Sequence, residues 1–180
     1  MLDHIFIDVT TEGESLSLAS IAAFRTDRKG NLLASYHDDI ARENAFGGVT
    51  LSVAMASFRN VVLGQGMASK FVYVSHYDNT RAILEKETGE HVAFDVPWFY
   101  TCQLGWPLFN AGIVPNLELD SLANAHGIQT LTQSAENSAT TIMRTYWEMM
   151  RRYRSAMVAE ELVRKSSGPT VEKIRSALGF

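Results

Sequence analysis

The chain has a single cysteine, Cys102, which excludes an internal disulfide framework and a cysteine-rich zinc site. That usage suits a reducing compartment, and the cytoplasm is the expected location. No stretch approaches the length of a membrane span, and the opening MLDHIFIDVTTEG, interrupted by Asp3 and Asp8, reads as neither signal peptide nor membrane segment. Overall basic charge is missing too. A net charge of −4 offers nucleic acid no global attraction, so such a partner must be met by a local basic patch. There is no repeat, no low-complexity tract and no glycine-rich phosphate loop, since Gly64-Gln65-Gly66 lacks the third glycine and the Lys-Ser/Thr. Ser75 and Ser138 sit in no nucleophile elbow, and Cys102 has no activating base beside it in sequence. His4, His37, His91 and His126 lack paired zinc spacing, and His76, closing an apolar run, reads as a hydrogen-bonded structural residue.

What is present is enough apolar sequence for one full core: 180 residues, 46% hydrophobic and 20% charged, fit one compact domain. Charge is unevenly placed. Arg144 to Phe180 holds eight Lys or Arg against four Asp or Glu, leaving the preceding 143 residues at net −8. Residues 1–165 are expected to form the domain. Ser166-Ser167-Gly168-Pro169 marks a break before a helical extension, 166–180, expected to pack on it.

Ile5, Phe6 and Ile7 predict a buried strand over His4 to Asp8 that ends in a carboxylate. Leu18 to Thr26 and Leu32 to His37 predict two more strands, joined by a turn at Arg28-Lys29-Gly30-Asn31. Thr50 to Val62 has helical spacing with Gly64 beyond it, and Phe71 to Ser75 is a short buried strand. A helix capped by Asn79 ends near Gly89, Phe99 to Leu104 reads as strand-like, and Leu117 to His126 is a helix stopped by Gly127. The last helix, Ser134 to Arg164, sets an apolar stripe (Ile142, Tyr146, Met149, Tyr153) against Arg144, Arg151, Arg152 and Arg154. This order suits an α/β mixed sheet covered by helices on both faces.

Several of these segments, in order, resemble the motifs of the DEDD (DnaQ-like) 3′ to 5′ exonuclease family, which has the ribonuclease H-like fold. IFIDVTTEG at Ile5 to Gly13 is similar to the first motif, with Asp8 on the family's Asp and Thr10 where its Glu belongs. VSHYDNTRAIL at Val74 to Leu84 resembles the second, with Arg81 in place of the catalytic Asp. VPNLELDSLANAHGI at Val114 to Ile128 matches a Leu-Asp-x-Leu helix start and Gly-Ile exit through Leu119, Asp120, Leu122, Gly127 and Ile128, a pattern of packing and not of chemistry. QSAENSA at Gln133 to Ala139 resembles the third motif, with Gln133 for the general-base His and Ser138 for the last Asp. The resemblance covers roughly residues 4–150 and implies the fold.

It also implies a chemistry, two divalent ions held between four carboxylates, for which Thr, Arg and Ser are poor substitutes. On the aligned positions only Asp8 survives as a metal ligand. Displaced acids, Glu12, Asp78 and Glu136, are the candidates to compensate, although Asp78 also suits a helix start, and Glu136 faces about 200° away from Ser138 on an ideal helix. Two functions follow. One is an exonuclease-fold protein that binds single-stranded DNA or RNA, or a protein partner, without efficient cleavage, with Arg81 and the Arg144 to Arg154 stripe touching phosphate. The other is a divergent exonuclease using Mg²⁺ or Mn²⁺, a cofactor the first does not need. The Met-rich last helix allows a homodimer with either.

Overall fold

A computed structural model describes residues 3–13, 16–41, 48–64, 71–89, 96–130 and 134–165, with side chains to 158 in the last helix. A five-stranded mixed sheet has the order β3-β2-β1-β4-β5. Strands β1 (Asp3–Glu12), β2 (Ser17–Thr26) and β3 (Leu32–Asp39) are antiparallel neighbours, and β4 (Phe71–Ser75) and β5 (Trp98–Tyr100) continue the sheet in parallel from β1. The β2–β3 turn closes as its residues dictate. Asp27 accepts the backbone N–H groups of Lys29 and Asn31, and Gly30 takes the left-handed φ of 88° that a side chain would resist.

Alternation along the strands divides the side chains between two faces. Ile5, Ile7, Ile21, Ala23, Phe71 and Tyr73 bury one face together with Met55 and Phe58 of α1 (Leu51–Phe58) and Leu84 of α2 (Asn79–Thr88). Ala22 and Phe24 on the other face meet Ala135 and Ala139, from the start of α6 (Ala135–Lys165). A bulge between Thr10 and Thr11 leaves Ala19 without a partner on β1 and brings Leu18 to the first face with Ile21. After α1 the chain widens into a π-helical turn, Arg59–Leu63, that stops at Gly64. Arg25 satisfies the orphan carbonyls of Val62 and Leu63 there while its guanidinium grips Asp3 at 2.6 Å and 2.9 Å.

The strand and helix limits follow the sequence, with three corrections. β1 does not end at Asp8 but runs on to Glu12, because its pairing with β2 continues after the pairing with β4 stops. Asn79 is the first residue of α2 and not its cap, Asp78 preceding it without a capping bond; Gly89, in the left-handed region, ends the helix. Phe99 to Leu104 is not one strand. β5 stops at Tyr100, and the chain turns into α3 (Thr101–Leu104) and α4 (Trp106–Asn110), then reaches α5 (Leu119–Ala125). At the start of α6, Ser134 Oγ accepts the N–H of Asn137, a side-chain cap just ahead of the first turn.

The chain divides into two compact units, Met1–Thr145 and Tyr146–Phe180. In the second, Arg151 and Arg152 both hold Glu148, whose carboxyl is pulled down to about 2, first by Arg151. The expected extension, 166–180, lies outside the described residues, of which no helix is long and apolar enough to cross a membrane.

Candidate functional site

Asp8 lies just past the point where β1 leaves its parallel pairing with β4, the last partners being Phe6 and Val74. That is the carboxyl end of the parallel strands, where open α/β sheets place their ligand crevices. A cavity of about 390 Å³ opens there, lined by Asp8, Val9 and Thr10 from β1 and by Glu118, Leu119 and Asp120 at the approach to α5. Thr130, Ser134, Ser138 and Thr141 complete it.

Period-two alternation puts Asp8 and Thr10 on one face of β1, the face toward α6. Thr10 is fixed by its cross-strand partner, the two hydroxyl oxygens of Thr10 and Ser20 lying 2.6 Å apart. Thr80, near the start of α2 and buried, donates to Asp8 Oδ1 at 3.2 Å. Ser138 on α6 gives a second side-chain hydrogen bond, and the Val9 backbone gives another. These donors favour the carboxylate, but burial outweighs them, and the Asp8 carboxyl is pushed up to about 6.

Beside the cavity, His76 is buried, with Nδ1 2.7 Å from Thr101 Oγ1. Its desolvation lowers it to about 4, keeping the ring neutral at physiological pH. The hydrogen bond expected of a histidine at this position is made through Nδ1.

The sequence candidates separate in space. Thr10 and Ser138, on the first and third motifs, come together with Asp8. Arg81 does not line the cavity; it donates to Glu85 at 2.8 Å and stands beside Tyr100, while Thr80, one residue earlier, reaches Asp8. Glu12 is exposed at the end of β1, and Asp78 is exposed at the start of α2. Glu136 is directed toward His37, with a separation of 4.0 Å. None of these three lines the cavity. Gln133 lies outside the described residues. Arg144 and Arg154 are exposed, and Arg151 and Arg152 are engaged by Glu148.

Sequence reasoning missed Thr80 and Ser20, which join the site only through tertiary contact and cross-strand register. It also assigned Asp120 to packing and passed over Glu118. No spacing signal marks the pair, since residues two apart on a helix face away from each other; Glu118 joins Asp120 at the cavity because it sits in the extended cap position just before α5.

Two divalent ions need several converging oxygen ligands of high charge. Among the described residues no three of His, Cys, Asp and Glu are grouped so that they could hold a metal ion, and Asp8 is met by neutral hydroxyls. The described residues do not fit a two-ion centre. What they do supply is one titratable carboxyl, a wall of hydroxyl donors and acceptors, and a rim with two further carboxylates.

No family model and no curated protein sequence matches the chain. Solved structures do. The chain is similar to cell-death related nuclease 4, with a TM-score of 0.67 and 11% identity over 83% of this chain and 64% of that one. A 3′-exonuclease described in 3′-end-specific recognition of a histone mRNA stem-loop gives a TM-score of 0.63 and 8% identity, covering 83% of this chain and 81% of the other. E. coli exonuclease I in complex with an oligonucleotide gives a TM-score of 0.58 and 14% identity over 87% of this chain. The chain spans only 44% of that exonuclease. The five-stranded mixed sheet with helices on both faces is thus the ribonuclease H-like fold of the DEDD-type 3′-exonucleases.

Proposed function

We propose that this protein uses an exonuclease fold to bind single-stranded nucleic acid without efficient cleavage. The observation that carries the reading is the surroundings of Asp8, where the first- and third-motif positions hold Thr10 and Ser138, and Thr80 makes the contact from α2. Hydroxyls at these places hold a carboxyl by hydrogen bonds but give a divalent ion little charge. A strand end laid in the cavity would be held by hydrogen bonds to sugar and base. Phosphate contacts then fall to exposed cations outside it, with Arg144 a candidate.

A second reading is supported by Glu118 and Asp120, which share the cavity with Asp8. In it, Mg²⁺ or Mn²⁺ arrives with the substrate's phosphate, since Asp8, Glu118 and Asp120 are not grouped to hold an ion by themselves, and the protein is a divergent exonuclease.

Calorimetric titration with Mn²⁺, paired with digestion of labelled single-stranded DNA and RNA by wild type and Asp8→Ala, separates the two. Oligonucleotide binding with neither ion uptake nor cleavage is expected. Cleavage lost with Asp8→Ala would overturn the proposal in favour of the divergent exonuclease.

A further inference from the structure

From Val96 to Leu117 the chain contains no Asp, Glu, Lys, Arg or His, although 20% of the protein is Asp, Glu, Lys or Arg. The stretch builds β5, α3 and α4, and it leaves large apolar side chains in water: Trp106 is 48% exposed, Ile113 44% and Phe109 39%. Trp106 and Phe109 sit edge to face, with ring centres 5.7 Å apart. The ledge is rigidly mounted. Gly105, at the joint of α3 and α4, approaches Leu122 of α5 so closely that a Cβ there would lie 2.6 Å from its side chain. Cys102 N–H also bonds to the carbonyl of His76, tying α3 to the end of β4.

Large apolar side chains bury roughly 150–250 Å² each, so these three offer on the order of 250 Å² at their present exposure. That is about a third of the ~800 Å² each partner contributes to a standard interface, and it has the composition of an interface centre.

Charge selects the occupant. Phosphate would need cations; the stretch supplies none, and Arg81 beside Tyr100 is held by Glu85. A two-fold contact sets each residue near the axis against its own copy, so any charge there meets its like. In a chain of net charge −4, a charge-free stretch of this length is suited to self-contact. β5 is the outer strand of the sheet but only three residues long, too short for strand addition to supply the contact. We propose that the Trp106–Phe109–Ile113 ledge joins two copies of this chain across a two-fold axis. The small apolar centre places the dimer among weak, concentration-dependent associations.

Sedimentation velocity on the full chain over a wide concentration range is the test. A monomer–dimer equilibrium is expected, weakened roughly thirtyfold or more by Trp106→Glu, as for a central aromatic anchor. Leu33→Glu, on β3 at the opposite edge of the sheet and also exposed, should leave it unchanged. Both substitutions lie at exposed positions, and circular dichroism checks that the fold is kept. A wild type that stays monomeric at its highest soluble concentration overturns the proposal, as does a dimer that survives Trp106→Glu or is lost in Leu33→Glu. Oligothymidylate binding to a monomeric wild type that Trp106→Phe retains and Trp106→Glu abolishes would instead give the ledge to single-stranded nucleic acid.

Discussion

The two sides of β1 have been put to different uses. Ile5 and Ile7 are fully buried in the apolar face with Ile21, Phe58 and Tyr73. Asp8 and Thr10, on the alternate side, line a polar cavity. The apolar side carries most of the core, while the other side packs Phe6 and Ala22 near α6 and beyond them presents one acid, Asp8, to the cavity. In a strand, one residue of displacement separates a position that stability constrains from one that only chemistry constrains. A sheet can therefore keep its architecture while its site changes.

The largest effect should come from the apolar side. Phe58→Ala removes a buried ring that packs edge to face on Tyr36, and it is expected to cost about 3–5 kcal/mol in urea unfolding. If it costs no more than a cavity-lining Thr→Ala change, the division of labour between the two faces is wrong.

A second experiment rebuilds the polar side. Thr10→Glu combined with Ser138→Asp sets two carboxylates around Asp8, whose own carboxyl already resists ionisation. Without metal the variant should lose roughly 2 kcal/mol through like-charge repulsion and desolvation. Mn²⁺ should restore stability by mass action, about 2.7 kcal/mol at a hundredfold excess over Kd. Thermal unfolding with EDTA and with Mn²⁺ reads both. An unchanged melting temperature on adding Mn²⁺ would mean that the backbone, and not only the side chains, has departed from a metal-binding geometry.

Much of this was legible in the sequence. β4 and α2 announce themselves by an unbroken apolar run, by helical spacing and by a stop at Gly89, and α6 by Ser134 ahead of its first turn. α3 and α4 were hidden because helices of four and five residues are too short to display a period, and aromatic-rich Trp98–Tyr100 reads as strand whatever follows. In the site, alternation alone pairs Asp8 with Thr10. Thr80 and Ser20 required knowledge of how α2 and β2 lie against β1, which is tertiary information.

The smallest effect sharpens the comparison most, because it asks what Asp8 costs. An acid whose carboxyl rises from 3.8 to about 6 on folding binds its proton more tightly in the folded state. Its contribution is therefore favourable at low pH relative to neutrality, and stability is lost as pH climbs from about 4 through 6. Asp8→Asn removes the ionisation while keeping an acceptor for Thr80 and Ser138. The difference in stability between Asp8→Asn and wild type should be near zero below pH 4, grow through the window, and reach about 1–2 kcal/mol in favour of the variant above pH 6, after allowance for solvent at the cavity mouth. Glu118 and Asp120 line the same cavity, so Glu118→Gln in the same background tests whether their charge widens that window. Urea unfolding at a series of pH values measures both. A difference that is flat with pH would mean that Asp8 is hydrated well enough to ionise freely, and its retention on the polar side would then reflect the hydrogen bonds it accepts and not a held proton.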